Sequence, residues 1–248
     1  MNPLFDLISL SLGHKEALDR VYTREEWEYM LEQAKKQTLV GVLTVGLDKL
    51  VPPQKAPLGI YAKWMLLTEA VQSRNASQTE DARTLYGRLA GDGIRSCVLK
   101  GQGTAMLYPQ PDLRQCGDID VWVEGGREKV LGYFRAHCPV RDVVYHHFDA
   151  KVFKTTPVEV HTTPSWMNSP LLNRRLQRFF AENADEQFAN LDAGLGFAVP
   201  THRFNAVFSL LHIFRHLLFE GIGLRHAGGS GRAGDGLDHE AAALPASG

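Results

Sequence analysis

RQCGDIDVWV, residues 114–123, places two aspartates one residue apart inside an apolar run. In a strand, successive side chains alternate across the sheet. Asp118, Asp120 and Trp122 would therefore share one face, and Ile119, Val121 and Val123 the other. The second face suits a hydrophobic core. On the first, two carboxylates stand about 7 Å apart at their β-carbons and repel one another unless a cation lies between them. The run predicts a strand with a core side and a cation-seeking side.

Two neighbouring stretches extend this reading. LKGQGTA (99–105) follows the β-type run IRSCV, and PVEVHTT (157–163) carries another alternating run. Val158 and Val160 are expected to face the core, which leaves Glu159 and His161 together on the opposite face. If this strand lies beside DIDVWV, the carboxylates of Asp118, Asp120 and Glu159 converge. Three carboxylates on adjacent strands suit two magnesium ions about 3.5–4 Å apart, which neutralise a nucleotide's phosphates and clamp the entering and leaving oxygens of phosphoryl transfer. The turn Lys100-Gly101-Gln102-Gly103 would let backbone N–H groups approach those phosphates. Lys100 and Arg114 are expected at the triphosphate, Arg114 by forked recognition of its oxygens. His146, His147 and His161 are candidates to line the pocket. His161 is favoured because it shares a face with Glu159.

Around this centre the chain changes character three times. Residues 1–92 read as a helical region: Asn2 and Pro3 begin a helix, and TREEWEYMLEQAKKQ offers Thr23 and Glu26 as a capping box ahead of the stripe Trp27, Met30, Leu31, Ala34. From Leu58 to Leu89 the pattern fits one long helix or two broken by the polar stretch QSRNASQTEDAR. Residues 93–165 alternate short β-type runs (IRSCVLKG, DIDVWV, DVVYHHF, AKVF, PVEVHTT) with helices after Gly101 and in GREKVLGYFRAHC. Residues 166–226 read as a second helical region, opened by Ser169 and Pro170. Residues 227–248, rich in Gly, Ala and Ser, are expected to form a disordered tail. The fold class is α+β, a small mixed β-sheet flanked by N- and C-terminal helical regions.

Composition narrows the function. Among 248 residues, 27 Lys and Arg stand against 28 Asp and Glu, so no basic field exists to hold a long nucleic acid, and none is expected as partner. Cys97, Cys116 and Cys138 match neither a disulfide framework nor a zinc pattern, as in a reducing cytoplasm. No apolar stretch approaches the roughly 18 residues of a membrane span, and the start MNPLFDLISLSLG lacks the basic residues of a secretory signal. The expectation is a cytoplasmic protein with no membrane partner.

The order of strand, KG turn, helix, DID and VEVH resembles the DNA polymerase β-like nucleotidyltransferase superfamily. Within it, VLKG, LYPQPDLRQCGDIDVWV, HH and VEVH resemble a bacterial family of uncharacterised nucleotidyltransferases, closely over residues 94–165. The resemblance implies a transferase that moves a nucleoside monophosphate from a nucleoside triphosphate such as ATP onto an unidentified small-molecule or protein acceptor, with two Mg2+ ions. It would make Asp118 and Asp120 ligands of both ions, and Glu159 the ligand of the ion that activates the attacking hydroxyl. Gly101 would match the glycine of the superfamily's glycine–serine turn, where Gln102 stands in place of the serine. Two alternatives stay open: a nucleotide- or partner-binding protein of the same fold without turnover, and a glycosyltransferase using the aspartate pair with one metal.

Overall fold

A computed structural model describes residues 2–106, 108 and 110–219 of the chain. The expected tail at 227–248 lies outside them. The first layer holds α1 (Pro3–Ser11), α2 (Arg24–Lys36), α3 (Val40–Lys49) and α4 (Leu58–Gly91). Asn2 caps α1 by accepting from the Leu4 N–H, with Pro3 in the first turn. Thr23 and Glu26 form the reciprocal capping box of α2. A cap of this kind is worth about 1 kcal/mol. Trp27, Met30, Leu31 and Ala34 are all buried and pack with Leu7, Leu10, Leu43 and Trp64 in one core.

The polar stretch 72–83 does not break α4, which runs unbroken through 34 residues. Its beginning belongs to the first core through Ile60 and Trp64, and its end to the sheet through Ala82, Leu85 and Leu89. The polar residues between have a partner in the chain that leads to the aspartates. The Asn75 side-chain amide donates to the carbonyls of Asp112 and Arg114 at 2.7 and 2.8 Å and accepts from the Cys116 N–H at 3.1 Å. Gln78 donates to the Gly117 carbonyl at 2.6 Å. Two helical side chains thus satisfy a loop that lacks ladder partners of its own.

The sheet contains β1 (Ser96–Val98), β2 (Ile119–Val123), β3 (Val140–Arg141), β4 (His147–Ala150) and β5 (Val158–His161) in the order β1-β2-β5-β4-β3. β2 and β5 run parallel, and the other neighbours antiparallel. The short helix α5 (Gln102–Ala105) and a 3-10 turn at Pro111–Leu113 connect β1 to β2, and α6 (Arg127–His137) connects β2 to β3. DVVYHHF and AKVF, read as two strands, contribute only the single β4 where they meet. Val143, Val144 and Tyr145 are exposed, so their β-type composition finds no sheet to join. After β5 come α7 (Pro170–Ala189), the two-residue strands β6 (Leu191–Asp192) and β7 (Phe197–Ala198), and α8 (His202–Phe219). Strands this short carry no readable alternation. Among the described residues no helix is long and apolar enough to cross a membrane.

One face of the sheet is apolar, as the alternation predicts: Ile119, Val121, Val123, Phe148, Val158 and Val160 pack on Leu85, Leu89 and Phe134. The other face is divided. Trp122 meets the rings of Phe188, Phe204 and Phe180 at centroid distances of 4.6, 5.8 and 6.5 Å, beneath α7 and α8. That end of β2 is packed as core, and its Asp118–Asp120 end is polar. Period-two alternation assigns a side chain to a face but says nothing about what covers each part of it.

Candidate active site

The ladder register assembles the site. Asp120 lies opposite Glu159 and Trp122 opposite His161 across β2 and β5. Asp149 lies opposite Glu159 and His147 opposite His161 across β4 and β5. Directly paired residues share a face, so Asp120, Glu159, His161, His147 and Asp149 form one polar surface. Lys100 reaches it from the end of β1, where the Leu99 N–H donates to the Asp120 carbonyl at 2.9 Å. Its Nζ stands 2.8 Å from Asp120 Oδ1. His161 Nε2 lies 3.0 Å from the same oxygen and 3.4 Å from Glu159 Oε2. His147 Nε2 holds Glu159 Oε1 at 2.8 Å, and His147 Nδ1 in turn is 2.9 Å from His146 Nε2.

These acids are out of solvent: Asp120 is 1% exposed and Glu159 7%. Burying a carboxylate is costly unless charge and hydrogen bonds compensate it. Burial opposes the ionisation of Glu159, but hydrogen bonds from His147 and His161 outweigh it and hold the carboxyl well below the usual range. Burial would lower His161, yet its contacts with Asp120 and Glu159 raise it to about 9, so the ring is cationic at neutral pH, its Nε2–H donating to Asp120 with Glu159 at ion-pair distance. Lys100 is likewise pulled down by burial and pushed further up by Asp120, Glu159 and Asp118. Asp118 fares differently. Burial first, then the charge of Asp120, push its carboxyl up to about 6, and Lys100 offsets this only in part.

Of the expected trio, Asp120 and Glu159 share a donor group and Asp118 adjoins it. The donor atoms of Asp120, Glu159 and His161 lie within 4.8 Å of one another, as do those of His147, Asp149 and Glu159. Asp118 is absent from both groups and stands beside them, half-buried, one residue before β2. Gly101 has φ +60°, the left-handed region that favours glycine, and lies against the Asp118 carbonyl. Gln102 is buried beside it, with neither amide atom hydrogen-bonded among the described residues. Arg114 is buried and turned inward: its Nη1 donates to the Gly101 carbonyl at 3.1 Å, and its guanidinium lies 5.8 Å from the Tyr108 ring centroid. It braces the glycine turn. Asn75 and Gln78 were missed by sequence reading, although a polar interruption of an otherwise amphipathic helix was a visible signal. Asp149 was missed too, although its alternation with His147 placed both on one face.

The sequence profile of the family described as "Uncharacterised nucleotidyltransferase" matches residues 23–227. No curated protein and no solved structure gives a significant match to the chain. The chain belongs to this nucleotidyltransferase family.

Proposed function

We propose that this member of the nucleotidyltransferase family transfers a nucleoside monophosphate from a nucleoside triphosphate to an acceptor hydroxyl, with release of pyrophosphate. The observation that carries the reading is the pairing of Asp120 with Glu159 across parallel strands, next to a left-handed glycine turn whose buried Gln102 amide has no hydrogen bond among the described residues. Carboxylate oxygens are the donors that magnesium prefers, and burial together with the charge of Asp120 raises the Asp118 carboxyl, a cost that a bound cation would relieve, so the residues fit the metal that the family implies. Asp118, Asp120 and Glu159 would hold two Mg2+ ions, which when bound supply charge neutralisation for the phosphates and for the entering and leaving oxygens.

The chain's own groups do the rest. Backbone N–H groups at Gly101 and Gln102, with the Gln102 amide, offer donors to phosphate oxygens. Arg114 fixes that turn through the Gly101 carbonyl. Lys100 and His161 supply fixed positive charge at Asp120. Glu159, kept ionised by His147 and His161, would keep its negative charge beside the attacking hydroxyl, whose proton passes to solvent as the new P–O bond forms and the bond to pyrophosphate breaks.

The test is pyrophosphate release from each nucleoside triphosphate, with and without magnesium, beside thermal shift. Binding at a hundred times Kd should stabilise the protein by about 2.7 kcal/mol. Stabilisation by nucleotide sugars alone would replace this reading with glycosyl transfer. Binding without release, whatever acceptor is offered, would replace it with a binding protein.

A further inference from the structure

On the side of the carboxylates away from Lys100 and Gly101, a cleft of about 230 Å³ opens where β2 and β5 begin and β4 ends. Asp118 and Glu159 line it at the catalytic side. Arg141 at the end of β3, with Lys151 and Lys154 in the loop joining β4 to β5, line it too. All three cations are exposed, and none forms an ion pair among the described residues. Asp149, opposite Arg141 in the ladder, also faces the cleft, but its carboxylate belongs with the donor group of His147 and Glu159.

We propose that this cleft binds the acceptor, and that the acceptor is a compact hydroxyl-bearing molecule carrying its own anionic group, a phosphate or a carboxylate. The proposal rests on the nucleotidyl-transfer reading above, because it uses the direction of the reaction. In-line displacement sets the entering oxygen and the departing pyrophosphate on opposite sides of the phosphorus. The strand order fixes a line across the sheet: the glycine turn beside β1, the acids on β2 and β5, then β4 and β3. With the donor's phosphates at the glycine turn, the nucleophile comes from the β4–β3 side, where the cleft lies. Next to Asp118 and Glu159 an anionic molecule would be repelled. The three cations, none in an ion pair among the described residues, match the three acids of the cleft in number and orient the molecule, its anion toward Arg141, Lys151 and Lys154 and its hydroxyl toward Glu159. A space of this volume takes a small metabolite-sized group.

The experiment titrates the full chain, with Mg2+ and a non-hydrolysable ATP analogue present, with ribose 5-phosphate, gluconate and neutral ribose by calorimetry. The parent is compared with the triple variant Arg141→Ala, Lys151→Ala, Lys154→Ala. The expected result is that at least one anionic probe binds about tenfold or more tighter than ribose, and that the variant loses that preference while holding the analogue within about twofold of the parent. The phosphate and carboxylate arms show which anion the cleft takes. Equal binding by parent and variant, or binding of neither anionic probe, overturns the proposal. So does a tenfold loss of analogue affinity in the variant, which would assign the cations to the donor's triphosphate. If the analogue fails to bind the parent while an anionic probe still binds through the three cations, the nucleotidyl-transfer reading falls and the acceptor role with it, leaving a plain anion site.

Discussion

Asp6, buried, and Asp118, half-buried, have opposite fates in this protein. Asp6, in the first helical layer, is fully buried, yet each of its oxygens is met by donors: Lys15 pairs with Oδ1, while the Tyr22 hydroxyl and the Asp19 N–H donate to Oδ2, both at 2.8 Å. Burial works against its ionisation, but Lys15, Asp19 and Tyr22 outweigh it and hold the carboxyl below the usual range. Burial and the bond to Asp6 raise Tyr22 to about 12. At the sheet, Lys100 pairs with Asp120, His161 with Asp120 and Glu159, and His147 with Glu159, while Asp118, beside them, is left pushed up to about 6. A buried acid is therefore no sign of a functional site in itself. The sign is a group of acids with too few cations, because that imbalance is what a bound metal or ligand would relieve.

The sharpest way to break the comparison is Asp120→Asn. Nucleotidyl transfer should fall by about 10³-fold, the scale of losing a group aimed at transition-state charge. Stability should fall as well, by about 3–5 kcal/mol, because buried Lys100 and His161 lose their shared partner. Transfer kinetics and urea unfolding, run on the same preparations, check both numbers. An active Asp120→Asn enzyme would remove Asp120 from the chemistry, and an active, equally stable one would undo the account of its burial as well.

Asp118→Asn should separate the two effects. Activity is expected to drop nearly as far, while the metal-free protein becomes more stable. The sign follows from the raised carboxyl. A group with a folded pKa near 6, against about 3.9 unfolded, contributes stability that is full below about pH 4 and lost as pH rises through 6. The gain from Asp118→Asn should therefore be largest above pH 6 and shrink toward pH 4, in melting curves recorded without divalent ions. A variant that is less stable at pH 7 would mean that Asp118 is satisfied as Asp6 is.

Asp6→Asn is the converse and the smallest effect. Transfer should be unchanged, and stability at pH 7 lower by about 2 kcal/mol, the scale of a charge-assisted hydrogen bond. A lowered folded pKa contributes stability that is present above about pH 4 and lost as pH falls through the folded value. Parent and variant melting temperatures should therefore converge below about pH 4, opposite in sense to Asp118→Asn. Curves that stay parallel down to pH 2 would show that Asp6 contributes through packing and not through its charge.

Much of this was legible in local sequence. Period-two alternation set Asp118 with Asp120 and Glu159 with His161, and the order of runs marked an α+β chain with its acids on the sheet. The Thr23–Glu26 box was equally readable, since a cap involves residues only three apart. Each of these features is encoded within a few residues by backbone geometry. The rest depends on contacts between distant segments, which periodicity does not carry. Only the folded chain sets β5 between β2 and β4 in the register that brings Asp120 against Glu159. Only there do Asn75 and Gln78, about forty residues upstream, clamp the loop before Asp118. The two cations read alike in the sequence also part company: Lys100 turns to Asp120 and Arg114 to the Gly101 carbonyl. The alternation placed Trp122 beside the aspartates, and α7 and α8 decided that its end of the face is core, because burying its ring against three phenylalanines removes more apolar surface from water than leaving it beside the acids would.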